Sequence, residues 1–433
     1  MANLKPIIRP RLLIEIPASL IMDAGGHMNG AWMGVYEDLG LTPIINASGS
    51  VTRLGGAPMP REVLDAMTEA AAGSVPLELL QAKASVNIAA TTGVEAGIVT
   101  AGAASALTLG AASMMTGWDR GRMESLPLSE SFPNEFVIAR EQRSGYDHAV
   151  RAAGARLVEV GFNEIVSGAG VRRTEAWEYE AAFGPNTVGV LYVFTNDSEP
   201  PLSEVVATAH KHGLPVLVDA AAELPPRSNL IDIPATGADL VAFSGGKSIR
   251  GPQSTGILAG RRDLVGPAFA QLVDMDDHPS LWDPPKELVD IEQLKGGPPR
   301  HGIGRAHKVS KEEIVGLLTA LKLFAAGAYD EEVAGYRQRL ERIAAALSGA
   351  PVTCTIHDRG DGESFPLLDI VVDEDAVGKS AFNICAALRT GSPPIYAGHG
   401  KLAQGTLTVN PLNLDDASAD TLARRVREAL GTV

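Results

Sequence analysis

The chain has 433 residues, of which 45% are hydrophobic and 21% charged, a balance typical of a folded protein with a large core. Its 37 Lys and Arg residues against 52 Asp and Glu residues give a formal net charge of −15. A surface that binds nucleic acid carries an excess of basic residues, so this charge argues against a nucleic-acid partner. No apolar run reaches the length of a membrane span, and we expect a cytoplasmic protein with no membrane partner.

The first half of the chain has a clear alternation of element types. Residues 1–40 show little periodicity and predict an N-terminal arm with a short helix. From residue 41 onward, short apolar runs alternate with helix-like segments. The runs are EAGIVTAG, NEFVIAR, ARLVEVG, TVGVLYVF, LPVLVDAAA and ADLVAFSGG. This alternation predicts an α/β domain with a mostly parallel sheet flanked by helices on both faces.

The second half begins with a segment rich in Pro and Gly, residues 276–304, which we interpret as a linker or an active-site loop. Residues 308–347 are strongly helical. PLLDIVVD and QGTLTVNP then predict strands, and ADTLARRVREAL predicts a final helix. We therefore assign residues 41–300 to a large domain and residues 301–433 to a smaller C-terminal α/β domain.

Three features stand at the predicted carboxyl ends of strands, where open α/β sheets bind their ligands. The stretch VTAGAASAL (99–107) breaks from strand to helix at Gly102, which leaves the amides of Ala103, Ala104 and Ser105 open to an anion. VLVDAAA ends its strand at Asp219. A tightly packed helix start explains the first feature equally well, and a helix-capping Asp explains the second.

The third feature is FSGGKSIRGP (243–252), which places Ser244 and Lys247 after the next strand. Together the three features supply a phosphate site, an acid for a pyridinium nitrogen and a lysine for a Schiff base, as pyridoxal 5′-phosphate requires. Asp219 is the predicted partner of the ring nitrogen. Lys247 is predicted to hold the cofactor and then to act as the base at the substrate α-carbon. Ser244 is expected to hydrogen-bond the phosphate beside the amides of residues 102–105.

Several stretches resemble the family of fold-type-I pyridoxal-phosphate enzymes that contains bacterial selenocysteine synthase and, as a closer match, D-glucosaminate-6-phosphate ammonia-lyase. They are INASGSVTRLGG (45–56), VTAGAASAL, YDHAVRAAGARLVEVG (146–161), VDAAAELPP, FSGGKSIRGPQSTGIL and GRAHKVSKEEIVGLL (304–318). The resemblance runs from about Tyr36 to near the C-terminus. It implies a seven-stranded sheet in the large domain, with Lys247 as the Schiff-base lysine and Asp219 as the pyridinium partner. It also implies a homodimer or larger homo-oligomer with shared active sites.

The resemblance also implies cofactor contacts outside the strand ends. In such enzymes an aromatic ring near the YDHA helix stacks on the cofactor, and Tyr146 and His148 are both candidates. The residue that does not stack on the cofactor would have an ordinary structural role, as a Tyr packed in the core or as a solvent-exposed His. Thr255, in the loop that starts at Gln253, is expected to approach the cofactor phosphate of a neighbouring subunit.

Three basic residues are expected to bind the substrate. Arg305 and Lys308 match positions that face the substrate in selenocysteine synthase-like proteins, and Arg53 lies in a glycine-flanked turn from which it would reach a carboxylate or phosphate. Ordinary solvated basic side chains are the alternative. Lys401 or His399, in GHGKLAQG (398–405), is a further possible contributor from the small domain.

The leading functional hypothesis is a pyridoxal-phosphate-dependent ammonia-lyase. It would remove water and ammonia from a β-hydroxy amino acid of sugar-like structure and give a 2-oxo acid. A racemase or epimerase shares the first step, and breaking a different first bond gives an aldolase, so both remain alternatives. A selenocysteine synthase-like transferase needs a surface for a polyanion, which the net charge disfavours. No spacing of the nine His and two Cys residues predicts a metal site.

Overall fold

The computed structural model describes residues 34–162, 172–273, 278, 280–294, 297–358 and 363–432. Most of the predicted arm, residues 1–40, lies outside these ranges. The described chain begins with helix α1 (Gly34–Asp38) and the short strand β1 (Ile45–Ala47). None of the helices in these ranges combines the length and the apolar composition that crossing a bilayer requires.

A seven-stranded sheet forms the centre of the larger unit. Its strands are β2 (Ala96–Thr100), β3 (Glu135–Ala139), β4 (Arg156–Val160), β5 (Thr187–Val193), β6 (Val216–Asp219), β7 (Leu240–Ser244) and β8 (Gly256–Gly260). Their order across the sheet is β2-β8-β7-β6-β5-β3-β4. β8 runs antiparallel to both of its neighbours, while the remaining pairs are parallel. The predicted fold class, a mostly parallel sheet between helices, is confirmed.

The sheet separates two hydrophobic cores because successive side chains of a strand point to opposite faces. Along β7, Val241 and Phe243 join one core, while Leu240 and Ala242 join the other. Helices cover both faces and bury these side chains. They are α2 (Arg61–Ala72), α3 (Leu77–Thr92), α4 (Gly102–Thr116), α5 (Arg120–Ser125), α6 (His148–Ala152), α7 (Ala176–Ala182), α8 (Leu202–Lys211), α9 (Asn229–Ala235), α10 (Arg262–Leu272) and α11 (Lys311–Ala325).

A smaller unit follows with a core of its own. Its elements are α12 (Asp330–Ala346), β9 (Val352–His357), β10 (Leu367–Val372), α13 (Glu374–Val377), α14 (Ala381–Thr390), β11 (Ile395–Ala397), β12 (Thr406–Val409) and α15 (Asp416–Leu430). Antiparallel pairing gives the sheet order β12-β10-β9. The strands and the final helix predicted for this region are therefore present.

Two contacts cross the domain boundary that the sequence predicted. β1 pairs in parallel with β11, so the segment that precedes the large sheet is anchored to the small unit. In the other direction, Leu317 and Leu321 of α11 pack into the core of the large sheet. The boundary between 41–300 and 301–433 stays a prediction, and these contacts place segments from each side of it against the opposite unit.

The Pro- and Gly-rich segment 276–304 contains no helix or strand in its described residues before the 3-10 helix Ile303–His307. Leu288 and Leu294 of this segment are buried in the second core of the large unit. Part of the segment therefore packs as a fixed cover on the sheet.

Candidate active site

Two charged side chains lie at the carboxyl edge of the large sheet. Asp219 is the last residue of β6, and Lys247 follows the end of β7 by three residues. β6 and β7 are adjacent parallel strands, with Asp219 in register with Ala242. Because parallel strands end at the same edge, both side chains lie at that edge, where the charge of each influences the pKa of the other.

The surroundings of this pair disfavour charge on both partners. Burial raises the pKa of Asp219, and the Ala221 amide, which donates to Oδ1 at 3.1 Å, and the charge of Lys247 lower it by less. Burial likewise lowers the pKa of Lys247, and the charges of Asp219 and Glu223 only partly oppose this. A lysine with a lowered pKa is more readily available as a neutral base near neutral pH.

The backbone around Lys247 is held by close packing that requires glycine. A Cβ atom at Gly245 would overlap the hydroxyl of Thr255, and one at Gly246 would overlap the backbone of Gln253. On the other side of the lysine, the hydroxyl of Ser248 donates to the Leu224 carbonyl at 2.6 Å. The loop is therefore fixed against both the β8 entry and the segment after Asp219.

Thr255 takes part in this packing. Its side chain is fully buried, and its hydroxyl donates to the Pro252 carbonyl at 2.6 Å. It supports the Lys247 loop within its own chain, and its contact with a neighbouring subunit's cofactor stays a prediction. Ser244, at the end of β7, is half-buried and has no hydrogen-bond partner for its hydroxyl among the described residues.

The N-terminus of α4 fits a phosphate group. The helix begins at Gly102, whose φ of +84° suits glycine, and no described side chain caps its first turn. Gly256 of β8 packs so closely that a Cβ atom there would overlap the backbone of Gly102 and Ala103. The first amides of a 15-residue helix are thus open while their backbone is held in place, which is the donor set that binds phosphate.

Ser105, in the first turn of α4, has a partner that the sequence did not reveal. Its Oγ lies 2.8 Å from Nδ1 of His307, and Ser105 is only 3% exposed. Burial lowers the pKa of His307, which favours the neutral form of the ring. A neutral imidazole that donates from Nδ1 leaves the Ser105 hydroxyl proton free for another acceptor.

Tyr146 and His148 both lie at the protein surface beside α4. Tyr146 is 71% exposed, which excludes the alternative of a Tyr packed in the core. The buried carboxylate of Asp147 holds this segment by ion pairs with Arg143 and Arg151. Thr108 of α4 donates to the Ala149 carbonyl at 2.9 Å and fixes the distance to the helix. Which of the two rings stacks on the cofactor stays a prediction.

Arg305 and Lys308 share the wall of one cavity. They line a cavity of about 500 Å³ between α3, α10 and the start of α11, whose wall also includes Gln81 and Phe269 and does not include Lys247 or Asp219. His307 lies between them in sequence and contacts Ser105, so this cavity adjoins the start of α4. Contact of Arg305 and Lys308 with the substrate remains a prediction.

Arg53 contacts a residue of the small unit, although nothing in the sequence indicated this contact. Its guanidinium lies over the ring of Tyr396, 5.3 Å from the centroid, and Arg389 lies over the same ring at the same distance. The pairing of β1 with β11 brings these segments together. Lys401, by contrast, is bound to Asp369 at 2.6 Å.

The sequence of the chain is similar to those of several known proteins. A family model described as aminotransferase class-V matches residues 174–281, which include Asp219 and Lys247. The chain is 32% identical to the 5′-C-glycyluridine monooxygenase-decarboxylase of a Streptomyces species, over 91% of this chain and 92% of that protein. It is 28% identical to the D-glucosaminate-6-phosphate ammonia lyase of Salmonella typhimurium, over 91% and 97%. An L-seryl-tRNA(Sec) selenium transferase of Desulfovibrio desulfuricans is 26% identical over 89% and 81%.

The fold agrees with these relatives. The solved structure of a D-glucosaminate-6-phosphate ammonia-lyase superposes with a TM-score of 0.75 and 28% identity, over 92% of this chain and 98% of that one. Members of this family use pyridoxal 5′-phosphate. The chain therefore belongs to the fold-type-I pyridoxal-phosphate enzymes related to selenocysteine synthase and D-glucosaminate-6-phosphate ammonia-lyase.

Proposed function

We propose that this chain binds pyridoxal phosphate at the Lys247–Asp219 pair and acts as an ammonia-lyase on a β-hydroxy amino acid of sugar-like structure. The observation that carries the proposal is the placement of these two side chains at the ends of neighbouring parallel strands. The uncapped start of α4 beside them supplies donors for a phosphate. When bound, the cofactor supplies an electron sink for charge that develops at the substrate α-carbon.

The residues of the chain divide the remaining work. Asp219 would hold a proton at the ring nitrogen. Burial raises the pKa of its carboxyl group, and the positive charge of a protonated ring nearby would oppose that shift and favour the carboxylate. Lys247 takes the proton from the α-carbon, for which its lowered pKa suits it. The amides of residues 102–105 and the hydroxyl of Ser244 bind the phosphate. Tyr146 or His148 covers the ring.

The overall reaction balances as an elimination followed by hydrolysis. The α-carbon loses its proton to Lys247, the bond from the β-carbon to its oxygen breaks, and the hydroxyl leaves as water after taking up a proton. The enamine product then takes up water and releases ammonia, so that a 2-oxo acid remains. Support for this reaction comes from the 0.75 TM-score with an ammonia-lyase structure, of which this chain covers 98%.

A second candidate is an oxidative decarboxylation of an amino acid that consumes O₂. It is favoured by the 32% identity to a monooxygenase-decarboxylase over 92% of that protein's length. Racemase, epimerase and aldolase activities would use the same pair of residues. The selenium-transfer alternative is disfavoured by the net charge of −15. We further propose a cytoplasmic homo-oligomer with shared active sites, as fold-type-I enzymes are typically dimers.

The test is a titration of the cofactor-loaded protein with β-hydroxy amino acids of both chiralities, including aminated sugar acids, with and without oxygen. The lyase predicts a shift of the visible cofactor band and release of equal amounts of 2-oxo acid and ammonia, unaffected by removal of oxygen. Carbon dioxide release that requires oxygen would instead favour the decarboxylase. A band shift without release of 2-oxo acid or carbon dioxide would contradict the lyase and favour a racemase or aldolase.

A further inference from the structure

We propose that Arg53 and Arg389, both held by the ring of Tyr396, form an anion-binding clamp for a carboxylate or phosphate of the substrate. This inference deepens the proposed function and rests on it, because it names a chemical feature of the molecule that enters the same site. The clamp consists of Arg53, Arg389 and Tyr396, which come from a turn before the large sheet, the end of α14 and β11.

One aromatic ring holds both guanidinium groups. Each lies 5.3 Å from the centroid of the Tyr396 ring. An aromatic ring attracts a guanidinium through its face and leaves N–H donors available for a further partner. Both positive charges act on the space around this one ring, so an anion bound beside it would be attracted by both groups.

Neither arginine has a carboxylate partner in the described part of the chain. Arg389 donates to Nδ1 of His399 at 3.4 Å, and its Nε is buried without any hydrogen-bond partner. A buried donor without an acceptor is unfavourable, and a bound anion would satisfy it. The chain has 52 acidic residues, so unpaired arginines do not reflect a shortage of carboxylates.

Among the described residues, other basic side chains of the small unit contact carboxylates, unlike Arg53 and Arg389. Lys401 and His357 of the same unit both contact the carboxylate of Asp369, at 2.6 Å and 3.0 Å. Most arginines of the small unit that lie outside the clamp are also paired, as Arg424 is with Glu428. The clamp is therefore a local concentration of positive charge beside neutralised neighbours.

The turn that carries Arg53 reaches the Lys247 loop directly. Ala57, which follows this turn, donates its amide to the Gly246 carbonyl at 3.2 Å, and Gly246 precedes Lys247. A Cβ atom at Gly56 would be in close contact with the Gln253 side chain, so the two loops are closely packed. Asn413 of the small unit also donates to the Gly56 carbonyl at 3.2 Å. The clamp thus borders the site of the proposed chemistry.

The anion has two possible sources, the α-carboxylate of the amino acid or a second acidic group farther along it. Calorimetric titration of the protein saturated with pyridoxal phosphate separates them with four probes. Serine carries the α-carboxylate, O-phosphoethanolamine carries the phosphate, O-phosphoserine carries both, and ethanolamine carries neither. The variants are Arg53→Gln and Arg389→Gln, with Arg389→Lys as a charge-preserving variant and Arg424→Gln as a matched control on α15.

We expect each Gln variant to weaken binding of O-phosphoserine by about tenfold or more, and Arg424→Gln to leave it unchanged. Parallel weakening of O-phosphoethanolamine binding, with serine unaffected, assigns the clamp to a distal phosphate. Parallel weakening of serine binding, with O-phosphoethanolamine unaffected, assigns it to the α-carboxylate. Arg389→Lys is expected to recover only part of the affinity, because lysine cannot form a bidentate pair.

Equal affinity of wild type and both Gln variants for every anionic probe would overturn the clamp, as would no binding of any probe to the wild-type protein. Arg53 is exposed, so Arg53→Gln tests the proposal even if the Arg389 variants do not fold. Serine and O-phosphoserine each carry a β-leaving group, so release of 2-oxo acid from them is measured in parallel and the heat of turnover is separated from the heat of binding. Failure to release a 2-oxo acid would therefore contradict the lyase and leave the result for the clamp standing.

Discussion

The Lys247–Asp219 pair and the Arg53–Tyr396–Arg389 clamp use charge in opposite ways. In the pair, burial disfavours charge on both side chains, since the pKa of Asp219 is raised and that of Lys247 lowered. In the clamp, both side chains are guanidinium groups, which carry a permanent positive charge. The first arrangement suits the transfer of protons, and the second suits the holding of a permanent anion.

The two regions also differ in how the chain builds them. The pair comes from adjacent strands within 28 residues of sequence, and each side chain follows an apolar run that identifies its strand. The clamp joins residues separated by more than 330 positions, through a pair of three-residue strands. The chemistry of a strand end can therefore be inferred locally, while a specificity site between units depends on the tertiary fold.

The largest expected effect is at Lys247. Lys247→Ala should lower turnover by at least about a thousandfold, because it removes both the attachment point of the cofactor and the base at the α-carbon. Release of 2-oxo acid measures the loss. Lys322→Ala, an exposed lysine on α11, is the control and should keep full activity. Near wild-type turnover in Lys247→Ala would remove the basis for assigning chemistry to this edge.

Asp219→Asn should have the next largest effect. We expect the cofactor to stay bound and exchange of the substrate α-proton to slow by about a hundredfold or more, because the ring nitrogen loses its charged partner. Proton exchange in deuterated water, followed by NMR, measures this step separately from binding. If exchange is as fast as in the wild type, the ring nitrogen has a different partner.

Gly256→Ala tests the phosphate side of the site. The added Cβ atom would overlap the backbone where α4 begins, so we expect a loss of about 1–3 kcal/mol of unfolding free energy and weaker cofactor binding. Gly184→Ala is the matched control, since a Cβ atom there meets no other atom within 4 Å. Urea unfolding and cofactor titration measure the two effects. Equal behaviour of the two variants would mean that the close packing at Gly256 does not maintain the helix start.

The smallest expected effect concerns pH and the stability of the cofactor-free protein. The lowered pKa of folded Lys247 means that the unfolded chain binds a proton more tightly than the folded chain does. Stability should therefore rise with pH between the folded pKa and the ordinary lysine value of about 10.4. Below the folded pKa both states bind the proton, so Lys247 adds no further pH dependence there. Lys247→Met should lack this contribution. Identical pH profiles of unfolding for the two proteins would contradict the pKa shift.

The sequence predicted the sheet, the strand ends and the start of α4 because each has a local cause. Buried strands read as apolar runs, and Gly102 marks the change from strand to helix. The partner of Ser105 had no such signal, since His307 lies 202 residues away and approaches only after the 3-10 helix packs against α4. The motif GRAHKVSK drew attention to Arg305 and Lys308, on either side of the residue that makes the contact.

Arg389 and Tyr396 also had no signal in the sequence. Their segments, LRT and PIYAG, match no motif, and their relation to Arg53 depends on the parallel pairing of β1 with β11. Glu223 was missed for a different reason. It follows Asp219 by four residues in a turn, and its effect on Lys247 depends on how that turn packs beside the lysine loop.

The most direct test of the central claim is to reduce the cofactor-loaded protein with borohydride and map the modified lysine by peptide mass spectrometry. We expect a single cofactor adduct on Lys247, retained in Asp219→Asn and absent from Lys247→Ala. An adduct on another lysine, or no adduct in protein saturated with pyridoxal phosphate, would contradict the assignment of this strand edge as the active site.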